Sequence, residues 1–233
     1  MSEFKISDNT VSRVNQVINS SNLYFLGNEK DYNLKVLILG NSITRHGPNA
    51  EIGWMNDWGM AASKKENDFV HVLYGLLEKS GIKPYFMVRQ AADFERRFNE
   101  VHIFDNYIED KKFNADVIIF RLGENVSRIS DEYSKAFGDK SFEFINYLKN
   151  KDTKVIVTDC FWEYDLLDKH IKSMTQRLDA YFIHIGDLGL DDTMRATGLF
   201  EHSGVAGHPG DLGMKNIAER IFEELKKAVK FEY

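Results

Sequence analysis

The chain has 233 residues, 43% of them apolar, and a formal net charge of -6. That length suits one α/β domain with a sizeable core, and the acidic balance argues against a nucleic-acid partner, which needs clustered Lys and Arg. No uncharged apolar stretch is long enough to span a bilayer, and the lone Cys160 has no internal disulfide partner. The N-terminus lacks a basic segment followed by an apolar run, so the expectation is no secretory leader, no membrane partner and residence in the cytoplasm.

Residues 1–34 read as an N-terminal helix over 10–18 and a connector, attached to one domain that spans 1–233. Apolar runs with strand character follow at 36–39, 85–88, 117–120, 155–158 and 181–185. Helical spacing fills the gaps, over 68–79, 94–107 and 134–148, and a last helix is expected over 211–229, with Met214, Ile217, Ile221 and Leu225 on one face. Strands alternating with helices predict an α/β fold: a five-stranded parallel sheet with helices on both faces. Ligands of such sheets bind at the carboxyl ends of the strands. Two long irregular segments, 45–62 and 186–207, would overhang that edge, and loops of this length are often functional.

Three motifs fall at element ends. Gly40-Asn41-Ser42-Ile43-Thr44 follows the first strand, Arg121-Leu122-Gly123-Glu124-Asn125 follows the third, and His208-Pro209-Gly210-Asp211 opens the last helix. A serine hydroxyl is a weak nucleophile unless a base adjoins it, and a strand-to-helix turn exposes its oxygen while leaving backbone N–H groups for an oxyanion. Pro209 suits a first helical turn, and Asp211 is placed to cap exposed N–H groups there. This surrounding would fix His208 at a helix mouth, as a general base must be fixed. The Asn125 amide would donate to the oxyanion. Thr44 stands where a G-x-S-x-G elbow has its second glycine, and the loop lacks the Gly-Lys-Ser/Thr ending of a phosphate loop.

Together these blocks, in this order and from about Lys35 to Ile221, resemble the SGNH (GDSL-like) hydrolase superfamily. The resemblance implies a flavodoxin-like three-layer α/β/α sandwich, ester hydrolysis, and neither metal nor cofactor. It implies Ser42 as nucleophile, His208 as base, and an oxyanion hole drawn from the Ser42 N–H, Asn125 and a second-block N–H.

Two positions depart from the family pattern. The second block has no glycine in Val88-Arg89-Gln90-Ala91-Ala92, so Ala92 (or Ala91) would supply that N–H. The aspartate usual three residues before the histidine is Val205. Glu201, Asp191, Asp187 and Asp192 are alternatives on the same loop, and a backbone carbonyl would leave a Ser–His dyad.

Other residues carry two readings each. Trp54, Trp58 and Trp162 suit a sugar platform or the closing of a loop over the core. Arg89 or Gln90 would line the pocket or face solvent. Asp57 and Glu51 would read hydroxyl groups or be solvated. His46, His202 and His208 lack the spacing of zinc ligands, and Cys160 reads as a buried filler. The expected function is a metal-independent serine esterase releasing a short acyl group, acetyl on a carbohydrate, from a small-molecule or carbohydrate ester. The rivals are a lipase or thioesterase for longer chains, and a non-catalytic glycan-binding member.

Overall fold

The computed structural model describes residues 10–11 and 22–229. Seven strands form one sheet: β1 (Thr10–Val11), β2 (Leu23–Leu26), β3 (Leu34–Gly40), β4 (Pro84–Gln90), β5 (Val117–Arg121), β6 (Lys154–Thr158) and β7 (Tyr181–Ile183), in spatial order β1-β2-β4-β3-β5-β6-β7. The last five are parallel, as expected, and their order 2-1-3-4-5 is that of flavodoxin-like folds. The two antiparallel strands β1 and β2 were not expected. β2 is four apolar residues, too short for periodicity to mark it, and it pairs with the otherwise open edge of β4. Of the helix expected over 10–18, Thr10 and Val11 are extended, and the remainder lies outside the described residues.

The period of two along the strands splits the core into two layers. Leu37, Leu39, Ile118 and Phe120 face one way, against Phe94, Phe137, Phe144, Leu167 and Ile171. These come from α2 (Ala92–Arg97), α4 (Asp131–Leu148) and α5 (Asp165–Arg177). Val36, Ile38 and Ile119 face the other way, against α1 (Phe69–Lys79) and the final helix. Two buried faces explain why β3 and β5 read as continuous apolar runs.

The helix expected over 94–107 is broken. Phe94, Phe98, Ile103 and Tyr107 are all buried, but the five-residue step from 98 to 103 is off the helical period. The chain leaves α2 at Arg97, turns, and resumes as a 3₁₀ stretch at Ile103–Tyr107 before α3 (Ile108–Phe113). Strand β7 stops at Ile183 rather than at 185, because the Ile185 N–H donates to the Asp159 carboxylate (2.7 Å) instead of continuing the ladder. Segment 186–207 carries two short helices, α6 (Gly186–Leu190) and α7 (Ser203–Ala206), and the final helix is α8 (Asp211–Ala228). No described helix is long and apolar enough to cross a membrane.

Candidate active site

Strand β3 delivers Ser42 to the carboxyl edge of the sheet. After Gly40 the chain folds straight back, with the Thr44 and Arg45 N–H groups donating to the Asn41 carbonyl (2.9 and 3.0 Å). A Cβ on Gly40 would overlap the Thr44 hydroxyl, so the turn needs glycine there. The same tightness accounts for the Gly40–Thr44 spacing read in the sequence. The Ser42 N–H has no hydrogen-bond partner among the described residues, and the Ser42 carbonyl accepts from Met60 N–H (2.9 Å).

His208 arrives from the other end of the chain. Its carbonyl accepts from the Ala196 N–H (2.9 Å), and the Gly210 N–H donates to the Met194 carbonyl (2.9 Å), which pins the mouth of α8 to segment 194–196. Asp211 does not cap α8. Its carboxylate instead accepts from Ser63 N–H, Ser63 Oγ and Asn67 Nδ2 (2.7–2.8 Å), tying α8 to the segment before α1.

The Ser42 Oγ and His208 Nε2 are 2.8 Å apart, and His208 Nδ1 lies 2.6 Å from the Gly204 carbonyl. A carbonyl only accepts, so Nδ1 carries the hydrogen and Nε2 is left as the acceptor for the serine hydroxyl. None of the acids proposed to orient His208 fills that place. Asp187 is forked onto Arg220, Asp191 caps Thr193, Asp192 pairs with Arg195, and Glu201 is exposed and not bonded to the ring. Val205 is buried against Trp54, Met60 and Ala196. Burial chiefly drives the His208 imidazole down to about 4; the Gly204 carbonyl pulls the other way, and the charges of His46 and Arg121 push it down further. The ring is therefore neutral at neutral pH.

Beneath Ser42 lies a buried polar cluster that the motifs only partly announce. Glu95, on α2 and fully buried, accepts from Gly123 N–H (2.6 Å), Asn125 N–H (3.2 Å), Asn125 Nδ2 (2.7 Å) and Asn41 Nδ2 (3.0 Å). Arg121 donates to Glu124 (2.9 Å) and to the Asn41 amide oxygen (2.7 Å), and Asn41 Nδ2 also reaches Glu124 (2.6 Å). Burial, then the neighbouring Glu124 charge, push the Glu95 carboxyl up, while the donated hydrogen bonds hold it down. Asn41, Glu95 and Arg121 escaped the sequence reading. Glu95 had no signal, being one charge among several on a helix, whereas Asn41 and Arg121 lay inside the motifs.

Ser42, Ala92, Asn125 and His208 line one hollow of about 270 Å³. Neither Ala91 nor Ala92 needs positive φ, so the backbone does not demand the missing glycine. The Ala91 N–H is taken by the Gly40 carbonyl (2.6 Å), and the Ala92 N–H faces the Gln90 amide oxygen at 3.3 Å. Gln90 lines the hollow but Arg89 does not: Arg89 is buried and forked onto Asp110 (2.9 and 2.5 Å) over the Tyr107 ring.

The tryptophans divide. Trp54 is fully buried, donates to the His46 carbonyl (2.8 Å) and packs edge-on to the half-buried Trp58; neither lines the hollow. They form the core of the 45–62 segment, together with the Arg45–Asp57 fork (2.7 Å), which also removes Asp57 as a reader of hydroxyls. Glu51 is exposed. Trp162 does not line the hollow either, but it touches the site from outside: its ring stands edge-on to His208 (4.9 Å between centroids), and its Nε1 donates to the Gly207 carbonyl (3.1 Å). Cys160 is buried, and burial pushes its thiol pKa well up, so it stays protonated.

No protein-family model matches this sequence, and no curated protein does. Solved structures match in shape. A carbohydrate esterase family 3 protein from Talaromyces cellulolyticus superposes with a TM-score of 0.54 at 16% identity, over 84% of this chain and 97% of that one. The psychrotrophic esterase EstA from a Pseudoalteromonas species gives 0.51 at 12%, over 84% and 98%. TesA gives 0.53 at 12%, over 84% and 99%. Strand order and these likenesses agree: the chain shares the three-layer α/β/α fold of these solved structures.

Proposed function

We propose that this protein is a serine esterase that releases a short acyl group. The observation that carries the reading is the Ser42–His208 contact with the imidazole tautomer set by the Gly204 carbonyl. His208 Nε2 takes the hydroxyl proton as Ser42 Oγ bonds to the ester carbonyl carbon. The oxyanion is met by the Ser42 N–H, by the Asn125 Nδ2 hydrogen not given to Glu95, and by the Ala92 N–H once it leaves Gln90. His208 then protonates the departing alkoxide as the carbonyl carbon–oxygen bond breaks. Water, deprotonated by the same nitrogen, attacks the acyl-enzyme, and acid and free Ser42 result.

The dyad differs from a triad in one physical respect. A carbonyl dipole fixes the tautomer as well as a carboxylate does, but it stabilises the imidazolium less, since it carries no full charge. The wall of the hollow mixes Gln90, Arg96 and Asn125 with Ile52, Met60 and Val205 and is not the apolar tunnel a long chain needs, which supports acetyl over long chains. A carbohydrate alcohol is supported by the named activity of the Talaromyces neighbour and by Trp162 beside His208. Turnover of p-nitrophenyl acetate and octanoate tests this. Faster acetate turnover, abolished in Ser42→Ala, is expected; faster octanoate turnover would replace the short-acyl reading with a lipase one.

A further inference from the structure

The protein is acidic overall, yet no carboxylate lines the hollow beside Ser42. Its polar wall is Arg96, His46, His202 and Gln90, with Asn125. Glu95 and Glu124 are outside that wall, and their oxygens are filled by backbone N–H groups, amides and Arg121. Arg96 itself differs from most of the described arginines, although Arg128, which lies over the Tyr164 ring, also has no carboxylate partner among the described residues. Arg89, Arg97, Arg45 and Arg121 are each bonded to a carboxylate. Arg96, among the described residues, is held through one nitrogen only, which donates to the Asn125 amide oxygen (2.9 Å). The residue is exposed.

An exposed guanidinium steadied on one nitrogen has the geometry that receives a carboxylate through two parallel hydrogen bonds. With a short acyl group on Ser42, most of the hollow is left for the alcohol half. We infer that the alcohol half of the substrate carries a carboxylate, seated on Arg96 with His46 and His202 beside it. This rests on the esterase reading above and narrows it to acetyl esters of acidic alcohols, such as hydroxy acids or acidic sugars. The Arg96–Asn125 bond places the anion next to the amide proposed to meet the oxyanion, so binding the acid also braces that amide.

The test compares 3-acetoxybenzoate with its neutral near-isostere 3-acetoxybenzamide. A charge-assisted pair contributes about 1.5–3 kcal/mol, so kcat/KM is expected to favour the benzoate by roughly 10- to 100-fold. That ratio should shrink in high salt. In Arg96→Gln the ratio should collapse to about one, whatever happens to the absolute rates. In parallel, calorimetry on Ser42→Ala should show tighter binding of 3-hydroxybenzoate than of 3-hydroxybenzamide. Equal turnover and equal binding of acid and amide would overturn the inference, as would an Arg96→Gln that slows both substrates alike while the preference persists. Tighter binding of the acid without turnover of either ester would keep the anion site and sink the esterase reading instead.

Discussion

Glu95 holds Asn125 at both ends of its residue: one carboxylate oxygen accepts from the backbone N–H (3.2 Å) and the other from the side-chain Nδ2 (2.7 Å). Arg96, the next residue on the same helix, takes the Asn125 amide oxygen (2.9 Å). The amide plane is thus set from two sides, and one Nδ2 hydrogen remains for a ligand.

In the proposed mechanism Glu95 is therefore a positioning residue acting through Asn125. In Glu95→Gln the new amide nitrogen faces other donors, so Asn125 loses its alignment. Asn125→Ala should lower kcat on the order of 10²–10³-fold, the range for one oxyanion donor. Glu95→Gln should lower kcat at least about tenfold with little change in KM, and should add little to Asn125→Ala in the double variant. Full additivity would show that Glu95 acts elsewhere.

The pH dependence follows from His208. In the proposed mechanism His208 is the base and works only when neutral, and its pKa is lowered to about 4. The acid limb of kcat/KM should therefore fall near pH 4, well below the ~6.5 of an ordinary imidazole. Activity should be nearly flat between pH 5.5 and 7 on that basis. A limb near 6.5 would mean the ring is far better hydrated than its burial indicates.

Restoring an aspartate at position 205 should not restore a triad. Val205 is packed against Trp54, Met60 and Ala196, and the ring nitrogen it would serve already has the Gly204 carbonyl. Val205→Asp buries an unpaired carboxylate, so a lower melting temperature and no gain in kcat are expected. A faster enzyme would show that the loop rearranges to give the acid its place.

Arg89 is a stability residue. Arg89→Leu strands the buried Asp110 and should cost about 3–5 kcal/mol in denaturant melts. Activity per folded molecule should stay within about twofold, since the side chain does not line the hollow. Lost activity at unchanged stability would return Arg89 to the substrate.

The sheet is legible in the sequence because its strands are apolar runs bounded by turns, and Ser42 and His208 are placed by the strongly patterned elements beside them. Other features lack a side-chain signature. Gly204 orients His208 through a carbonyl, which every residue has. Glu95 becomes distinctive only when α2 folds under Asn125. Arg89 and Gln90 are adjacent, and strand alternation sends one to Asp110 and the other to the hollow, a choice that needs the register to settle. Trp54 reads equally as platform or core, and burial decides for core.

The most direct test of the central claim is intact-mass spectrometry after a fluorophosphonate probe, with Ser42→Ala and His208→Ala alongside. An activated serine predicts a single adduct on the native protein, none on Ser42→Ala, and labelling slowed on the order of 10²-fold or more in His208→Ala, in line with loss of a general base. A folded native protein that takes no adduct, or labels equally without His208, would contradict it.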